Sequence, residues 1–374
     1  MNIKIICHKD LLEFIESGDY SKSANLPISS IRGISQVKNP RALPDDLVIA
    51  MLFEQEELQG YLGVLPDNLY FENDKGEIKA EHAGWLSCIW VNPEMRGKGI
   101  ASLLIDTVFK AWDYRILATE FTPIAKGLYD KSGQFEDLAK PEGIRAYMRL
   151  NLSYLMLAKN PQKWTKFKFF LQIIDAIANV FLNIIRSFFR KKKVKFTIQT
   201  EFDDDVRIFI EQNRSNNELV KRSIEDLDWI LKNPWLRSNS VADALSKRYH
   251  FSSVANYFAF KIMKVYNAEE QLMAVLMLSI RDENLKIPYI YSCSESESAF
   301  LMADAVEQFM IAEKLSMLTI FQTELAAAIK KKCSSFFVIR NMKRHYIISR
   351  KFEIGKKHSN QLTIQDGDAD AAFT

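Results

Sequence analysis

"VNPEMRGKGIASLL", Val91 to Leu104, places an arginine and two glycines at alternate positions between an apolar run and a helical one. Glycine lets the backbone take positive φ and come close to a ligand, so that successive N–H groups converge on one target, an anion. Upstream, "AGWLSCIWV" (83–91) is apolar on both faces and reads as a buried strand. Downstream, "IASLLIDTVFKAW" (100–112) reads as a helix with Ser102, Asp106, Lys110 and Asp113 on one face. In that order, strand then glycine loop then helix, the unpaired N–H groups and dipole of a helix N-terminus suit a pyrophosphate. A plain strand-to-helix turn would also use glycines. A dinucleotide fingerprint needs a third glycine where Ser102 stands, and a Walker loop needs Gly-Lys-Ser/Thr at its end, so neither pattern is met.

The chain of 374 residues, 48% hydrophobic, has apolar material for two domains. Cys7, Cys88, Cys293 and Cys333 lie far apart with no CxxC or Cys/His spacing, which predicts neither a disulfide framework nor a metal site and fits a reducing cytoplasm. The first ten residues already hold Lys4, Lys9 and Asp10 and do not read as a signal sequence. Net charge is +3, but Lys163 to Lys195 holds nine basic residues and one acid, Asp175, a local +8 that leaves −5 elsewhere. Basic charge confined to one segment does not suit a nucleic-acid partner, which calls for lysines and arginines spread over a folded face.

The sequence is expected to fold as two mixed α/β domains in tandem, residues 1–160 and 196–374, joined by a long amphipathic helix within 161–195. In the first, "DLVIAMLF" (46–53) and "LQGYLGVL" (58–65) read as strands ahead of the central one. In the last, "DDDVRIFIEQN" reads as a helix, "YFAFKIMKV", "QLMAVLMLSI", "PYIYSCS", "MLTIF" and "YIIS" as strands, and Ser298 to Lys314 as a helix. Asp203 to Asp205 is expected from the dipole of the helix it opens rather than from a metal, and Asp366, Asp368 and Asp370 alternate as in a solvated strand or tail. Trp85, Trp90, Trp229 and Trp235 could stack on a sugar, but tryptophan in an apolar run is more often core.

In the joining segment Lys168, Gln172, Asp175, Asn179, Asn183, Arg186 and Arg190 recur every three or four positions, a narrow polar stripe on one helix from about Lys166 to Arg190. Its wide apolar face, with Phe169, Phe170, Ile173, Ile177, Phe181, Ile184 and Phe188, calls for a cover. A transmembrane span is disfavoured by the polar residues at depth. Two readings stay open: a helix clamped between the domains, or a peripheral membrane contact through 163–195, where lysines flank the apolar face.

"VNPEMRGKGIASLL" resembles the acetyl-CoA signature of the GNAT superfamily of N-acetyltransferases, a strand ending in Val-x-Pro followed by Arg-Gly-x-Gly-Ile/Leu-Ala. "TPIAKGLYDKSGQF" (122–135) resembles a second landmark of that family, with Ala125, Leu128, Tyr129, Lys131 and Gly133 in register. Thr122 stands where asparagine is usual, and Gln134 displaces the aromatic residue to Phe135. "KRSIEDLDWILKNPW" (221–235) and "QDGDADAAFT" (365–374) resemble segments of tandem proteins of this family associated with bacterial surface polysaccharides. The resemblance implies two domains of the GNAT fold, the second degenerate because it lacks Arg-Gly-x-Gly and suited to shaping the acceptor pocket.

It further implies that Arg96, Gly97, Lys98, Gly99, Ile100 and Ala101 hold the pyrophosphate of acetyl-CoA, and that backbone groups of Ile89, Trp90 and Val91 align its pantetheine and acetyl group. Tyr129 corresponds to the general acid, a phenol able to protonate the departing thiolate. Glu81, His82 and Glu120, near strand ends, are candidates for the base, with exposed or structural roles as the simpler alternative. The expected activity is transfer of acetyl from acetyl-CoA to an amine-bearing small-molecule or carbohydrate acceptor, such as an amino sugar or a surface-polysaccharide precursor. The competing readings are a tandem aminoacyl or peptidyl transferase acting on a lipid-linked precursor, and a non-catalytic CoA-binding scaffold.

Overall fold

The computed structural model describes every residue except Asp74, 189–193, 239–243, 294–295, Glu353, 355–361 and Thr374. Two compact units emerge, and the chain passes between them repeatedly. Unit 1 comprises Met1–Pro141, Glu201–Phe260 and Arg344–Thr374; unit 2 comprises Glu142–Thr200 and Lys261–Lys343.

Unit 1 opens with β1 (Asn2–Cys7), α1 (Leu11–Glu16), α2 (Gly18–Lys22), α3 (Ser30–Val37), β2 (Leu47–Glu54), β3 (Glu57–Glu72), β4 (Ile78–Val91), α4 (Ile100–Ala111), β5 (Ile116–Ala118), α5 (Pro123–Ser132) and β6 (Phe135–Ala139). Unit 2 then receives β7 (Glu142–Tyr147), α6 (Leu152–Lys159), α7 (Pro161–Trp164), α8 (Lys168–Phe188) and β8 (Phe196–Gln199). The next stretch returns to unit 1 with α9 (Asp204–Asn213), α10 (Ile224–Lys232) and the short parallel pair β9 (Arg237–Ser238) and β10 (Val254–Ala255). Unit 2 is completed by β11 (Phe258–Tyr266), β12 (Leu272–Arg281), β13 (Asn284–Ser292), α11 (Ser296–Ala312), β14 (Met317–Ile320), α12 (Thr323–Lys332) and β15 (Val338–Lys343), and unit 1 by β16 (Tyr346–Ser349).

Each unit is built on a mixed sheet of seven strands, in the order β1-β2-β3-β4-β5-β16-β6 in unit 1 and β8-β11-β12-β13-β14-β7-β15 in unit 2. The fourth and fifth strands are parallel in both. The two orders match position for position, except that the sixth place is filled by a strand from the other end of the sequence. β16 pairs antiparallel with β5 and β6, and β7 with β14 and β15.

The expectation of two mixed-sheet α/β domains matches this architecture, but the consecutive boundaries 1–160, 161–195 and 196–374 do not follow the units. Hydrophobic pattern shows that "YIIS" is a strand but not which sheet it completes. For the same reason "KRSIEDLDWILKNPW" and "QDGDADAAFT", assigned from sequence to the last domain, fall in unit 1.

In unit 1, α4 buries Ile100, Leu104, Ile105, Val108 and Phe109, an apolar stripe at helical spacing, over Ala50, Leu52, Leu62 and Val64 of the sheet. In unit 2, α11 and α12 do the same with Met302, Val306, Phe309, Leu325 and Ile329 over β12 to β14. Asp203 caps α9, its carboxylate accepting from Val206 N at 2.9 Å, the helix-start role expected of it.

Helix α8 forms where expected. Its polar stripe turns inward: Asp175 is 8% and Asn179 7% exposed. Asp175 accepts from Leu152 N at 2.7 Å and Ser153 N at 2.9 Å, while Asn179 accepts from Leu150 N and donates to Leu150 O, both at 2.9 Å. These side chains satisfy the backbone at the start of α6, which would otherwise be orphaned. The apolar face points outward. Arg190 to Lys193 lie outside the described residues.

Candidate active site

The loop after β4 begins with a single 3-10 turn, Pro93–Met95, whose Asn92 cap accepts from Glu94 N at 3.2 Å. Met95 is buried and anchors the loop, while Arg96, Gly97, Lys98 and Gly99 are exposed. Gly97 and Gly99 have φ of +83° and +82°, the left-handed region that a β-carbon disfavours. A β-carbon at either would meet nothing within 4 Å, so backbone conformation rather than protein packing calls for glycine, and the space above both is open. Gly99 is the N-cap of α4 and offers no side-chain acceptor. An exposed helix N-terminus, two open glycines and the Arg96 and Lys98 side chains make a cradle that fits a pyrophosphate.

The strand before this loop is open on one side. β4 pairs with β3 down to Gly60↔Val91, but with β5 only at Gly84↔Ile116 and Trp85↔Leu117. Beyond Trp85 the fourth and fifth strands part. Cys88, at φ +54°, and Ile89 together oppose Leu62, because the register passes from Gly63↔Ser87 to Tyr61↔Trp90. This bulge re-aims the backbone where the strands separate, leaving the outer edge of Ile89, Trp90 and Val91 facing the gap.

Three elements bring candidate side chains to unit 1's sheet. Tyr129 of α5 is 4% exposed, with Phe121 at 5.8 Å and Phe135 at 5.2 Å between ring centroids. Burial, and then the Asp370 carboxylate, push its phenol well above the ordinary value, so it carries its proton at neutral pH. Phe135, the aromatic residue displaced by Gln134, reaches the core and packs on Phe109, while Thr122 caps α5 through Ala125 N at 3.2 Å. Glu120, just beyond β5 and at φ +51°, pairs with Arg344 at 2.7 Å.

The third contribution was not legible in the sequence. Ser87 of β4 donates to the Asp370 carboxylate, and Arg32 of α3 donates to Ser87 Oγ at 2.7 Å. Arg32 also donates to Tyr249 OH at 3.1 Å and to Cys88 Sγ, and its guanidinium lies 4.0 Å from the Trp235 ring centroid. Burial pushes the Asp370 carboxyl up, Arg32 and Ser87 oppose that, and Glu120 adds to it. Asp370 thus stands within electrostatic reach of both Tyr129 and Glu120.

The segment carrying Asp370 is fixed by aromatic packing: Phe373 stacks on Trp235 at 4.5 Å and packs edge-on against Trp229 at 5.0 Å. Far from forming a solvated tail, Asp368 is 1% exposed and faces Arg222 at 3.7 Å. Arg222 in turn grips Asp67 with two hydrogen bonds, of 2.7 and 3.1 Å, and Arg41 bridges Asp67 and Asp226. Alternating acids signalled exposure in the sequence. Only the arginines opposite them, remote in the chain, make burial tolerable.

The remaining sequence candidates are placed elsewhere. Both ring nitrogens of His82 are engaged, one with Asn68 Oδ1 and one with Asp46, each at 2.9 Å, and the ring lies 5.3 Å from that of Trp112. Glu81 pairs with Arg115 at 3.0 Å beside a pocket of about 120 Å³. Tyr129 and Glu120 thus feel the charge of Asp370, while Glu81 and His82 are held in separate contacts. Trp85 and Trp229 are core residues that donate to Asp67 and to Ser35 O, and Trp90 stacks on His250 at 4.3 Å.

No curated protein matches the sequence. Among solved structures, the chain is similar to a probable N-acyltransferase from Enterococcus faecalis V583, at 11% identity, 93% of this chain, 71% of that one and a TM-score of 0.47. It is likewise similar to Saccharomyces cerevisiae N-myristoyltransferase with bound myristoyl-CoA (9%, 93% and 82%, TM-score 0.49) and to a tandem GNAT protein from the clavulanic acid biosynthesis pathway (9%, 93% and 97%, TM-score 0.46). Residues 24–133 match the model of the acetyltransferase (GNAT) family. That segment spans β2 to β5, the glycine loop, α4 and α5, the elements that build the cradle and the gap. The likeness to the acetyltransferase (GNAT) family is thus carried by this segment of unit 1.

Proposed function

We propose that unit 1 is an N-acetyltransferase that moves the acetyl group of acetyl-CoA to an amine-bearing small molecule or carbohydrate, such as an amino sugar or a surface-polysaccharide precursor, in the cytoplasm. The observation that carries this reading is one strand, β4, that leads from the Ser87–Asp370 cluster past an open edge to the glycine cradle. Arg96 to Ala101 would hold the pyrophosphate, with Arg96 supplying a charge-assisted contact. The free edge of Ile89, Trp90 and Val91 would bind and align the acyl arm. When bound, the thioester supplies an acyl carbon already activated for attack.

The reaction forms an N–C bond and breaks a C–S bond, so one proton must leave the amine and one must reach the sulfur. Tyr129, held protonated by burial, donates at the sulfur. Asp370, whose carboxyl is pushed up by burial, accepts the amine proton, and Glu120 is the alternative acceptor. The test is incubation with isotope-labelled acetyl-CoA and cell extract, followed by mass spectrometry. Labelled N-acetyl product that depends on Tyr129 supports the reading, while CoA binding without any acetylated product overturns it.

A further inference from the structure

The outward face of α8 is a continuous apolar surface. Phe169 is 76% exposed, Phe170 61%, Ile177 55%, Val180 58%, Phe181 63% and Ile184 50%. Tyr154 and Leu155 of α6, in the same unit, are also exposed. Contiguous apolar surface of this kind marks an interaction site rather than ordinary surface. The exposed charge carried by α6 to α8 themselves has one sign. Lys159, Lys163, Lys166 and Lys168 are exposed along α6 to α8. The only acid between Leu152 and Phe188 is Asp175, which is turned inward and holds the α6 backbone.

Three occupants compete for this face. A membrane span is long enough, since Pro161–Ile184 has 24 residues and its most apolar 18-residue window a mean hydropathy of 1.5. It would, however, strip Asp175 and Asn179 from the four hydrogen bonds that tie α8 to residues 150–153. A second copy of the chain would bring lysines against lysines. An anionic lipid surface answers both features at once, the apolar face entering the acyl boundary and the lysines meeting headgroup phosphates. We propose that α8 docks unit 2 flat on an anionic membrane surface, without crossing it.

The full chain is tested by sedimentation with phosphatidylcholine vesicles, with and without phosphatidylglycerol. At low salt the protein should sediment with the anionic vesicles, and high salt should release it. Phe181→Asp, and separately Lys163→Glu with Lys166→Glu, should each weaken binding by about tenfold. An unchanged thermal melt and CoA affinity would show these exposed positions leave the fold intact. Three results would overturn the proposal: no binding to anionic vesicles by folded, monodisperse protein; a dimer that ignores vesicles and that Phe181→Asp splits; or vesicle-bound protein released by detergent alone.

Discussion

Units 1 and 2 share a strand order, yet differ at the equivalent turn. In unit 1 the connection from the fourth strand to its helix runs from Asn92 to Gly99, with two glycines at positive φ. In unit 2 the sequence after β13, Cys293 to Glu295 ahead of Ser296, holds no glycine, and 294–295 lie outside the described residues. The fourth and fifth strands part in both units, since β13 pairs with β14 only from Asn284↔Met317 to Lys286↔Thr319. A parting of strands is therefore a property of the scaffold. The pair of exposed glycines at positive φ belongs, among the described residues, to the loop of unit 1.

The largest effect should come from Tyr129→Phe, which removes the proton donor while keeping the ring packing. Turnover should fall by about 10²-fold or more, with CoA affinity unchanged by calorimetry. Equal turnover would mean that unit 1 differs from unit 2 in binding alone. Asp370→Asn sharpens the same point through pH. Its folded pKa is raised, so the base becomes available only as pH rises through that raised value. The rate should rise with pH along a limb that Asp370→Asn abolishes. Because a raised carboxyl favours the fold below its unfolded pKa and loses that advantage as pH rises through the folded one, the asparagine variant should also lose less stability between those two values.

Next in size is the buried charge network of unit 1. Asp67→Ala leaves Arg41 and Arg222 facing each other in the interior and should cost about 3–5 kcal/mol, read by denaturant titration. Asp226 has the opposite pH sign from Asp370. Burial raises its carboxyl, but hydrogen bonds and charge from Arg41 outweigh that and hold it below the ordinary value. Its contribution is present above the unfolded pKa and is lost as acid carries pH down through the lowered folded value.

Gly99→Val should weaken CoA binding by about tenfold, the scale of forcing a branched residue into left-handed backbone, and Arg96→Ala should add to the loss. Unchanged affinity in both variants would remove the cradle from the mechanism. The smallest effect is expected at the equivalent turn of unit 2: Cys293→Ala should leave CoA affinity the same within about twofold, as a substitution away from the ligand does. A clear loss there would show that unit 2 also binds CoA, and would break the contrast between the two turns.

What the sequence determined by itself is local. Period and punctuation located β2, β4, α4, α8 and α9 within a few residues, and the Gly-x-Gly spacing marked the loop between β4 and α4, because backbone conformation and helix ends depend on neighbours in the chain. Tyr129 was singled out differently, by the resemblance of residues 122–135 to a family landmark. What only tertiary structure decided is long-range. That β16 completes the first sheet and β7 the second, that Asp370 stands under Ser87 beside Arg32, and that α8 turns Asp175 inward and Phe181 outward all depend on partners far away in sequence. The amphipathic pattern of α8 fixed which residues share a face. The side facing the protein was decided by the unpaired backbone of residues 150–153, which only carbonyl and carboxylate oxygens at Asn179 and Asp175 could satisfy.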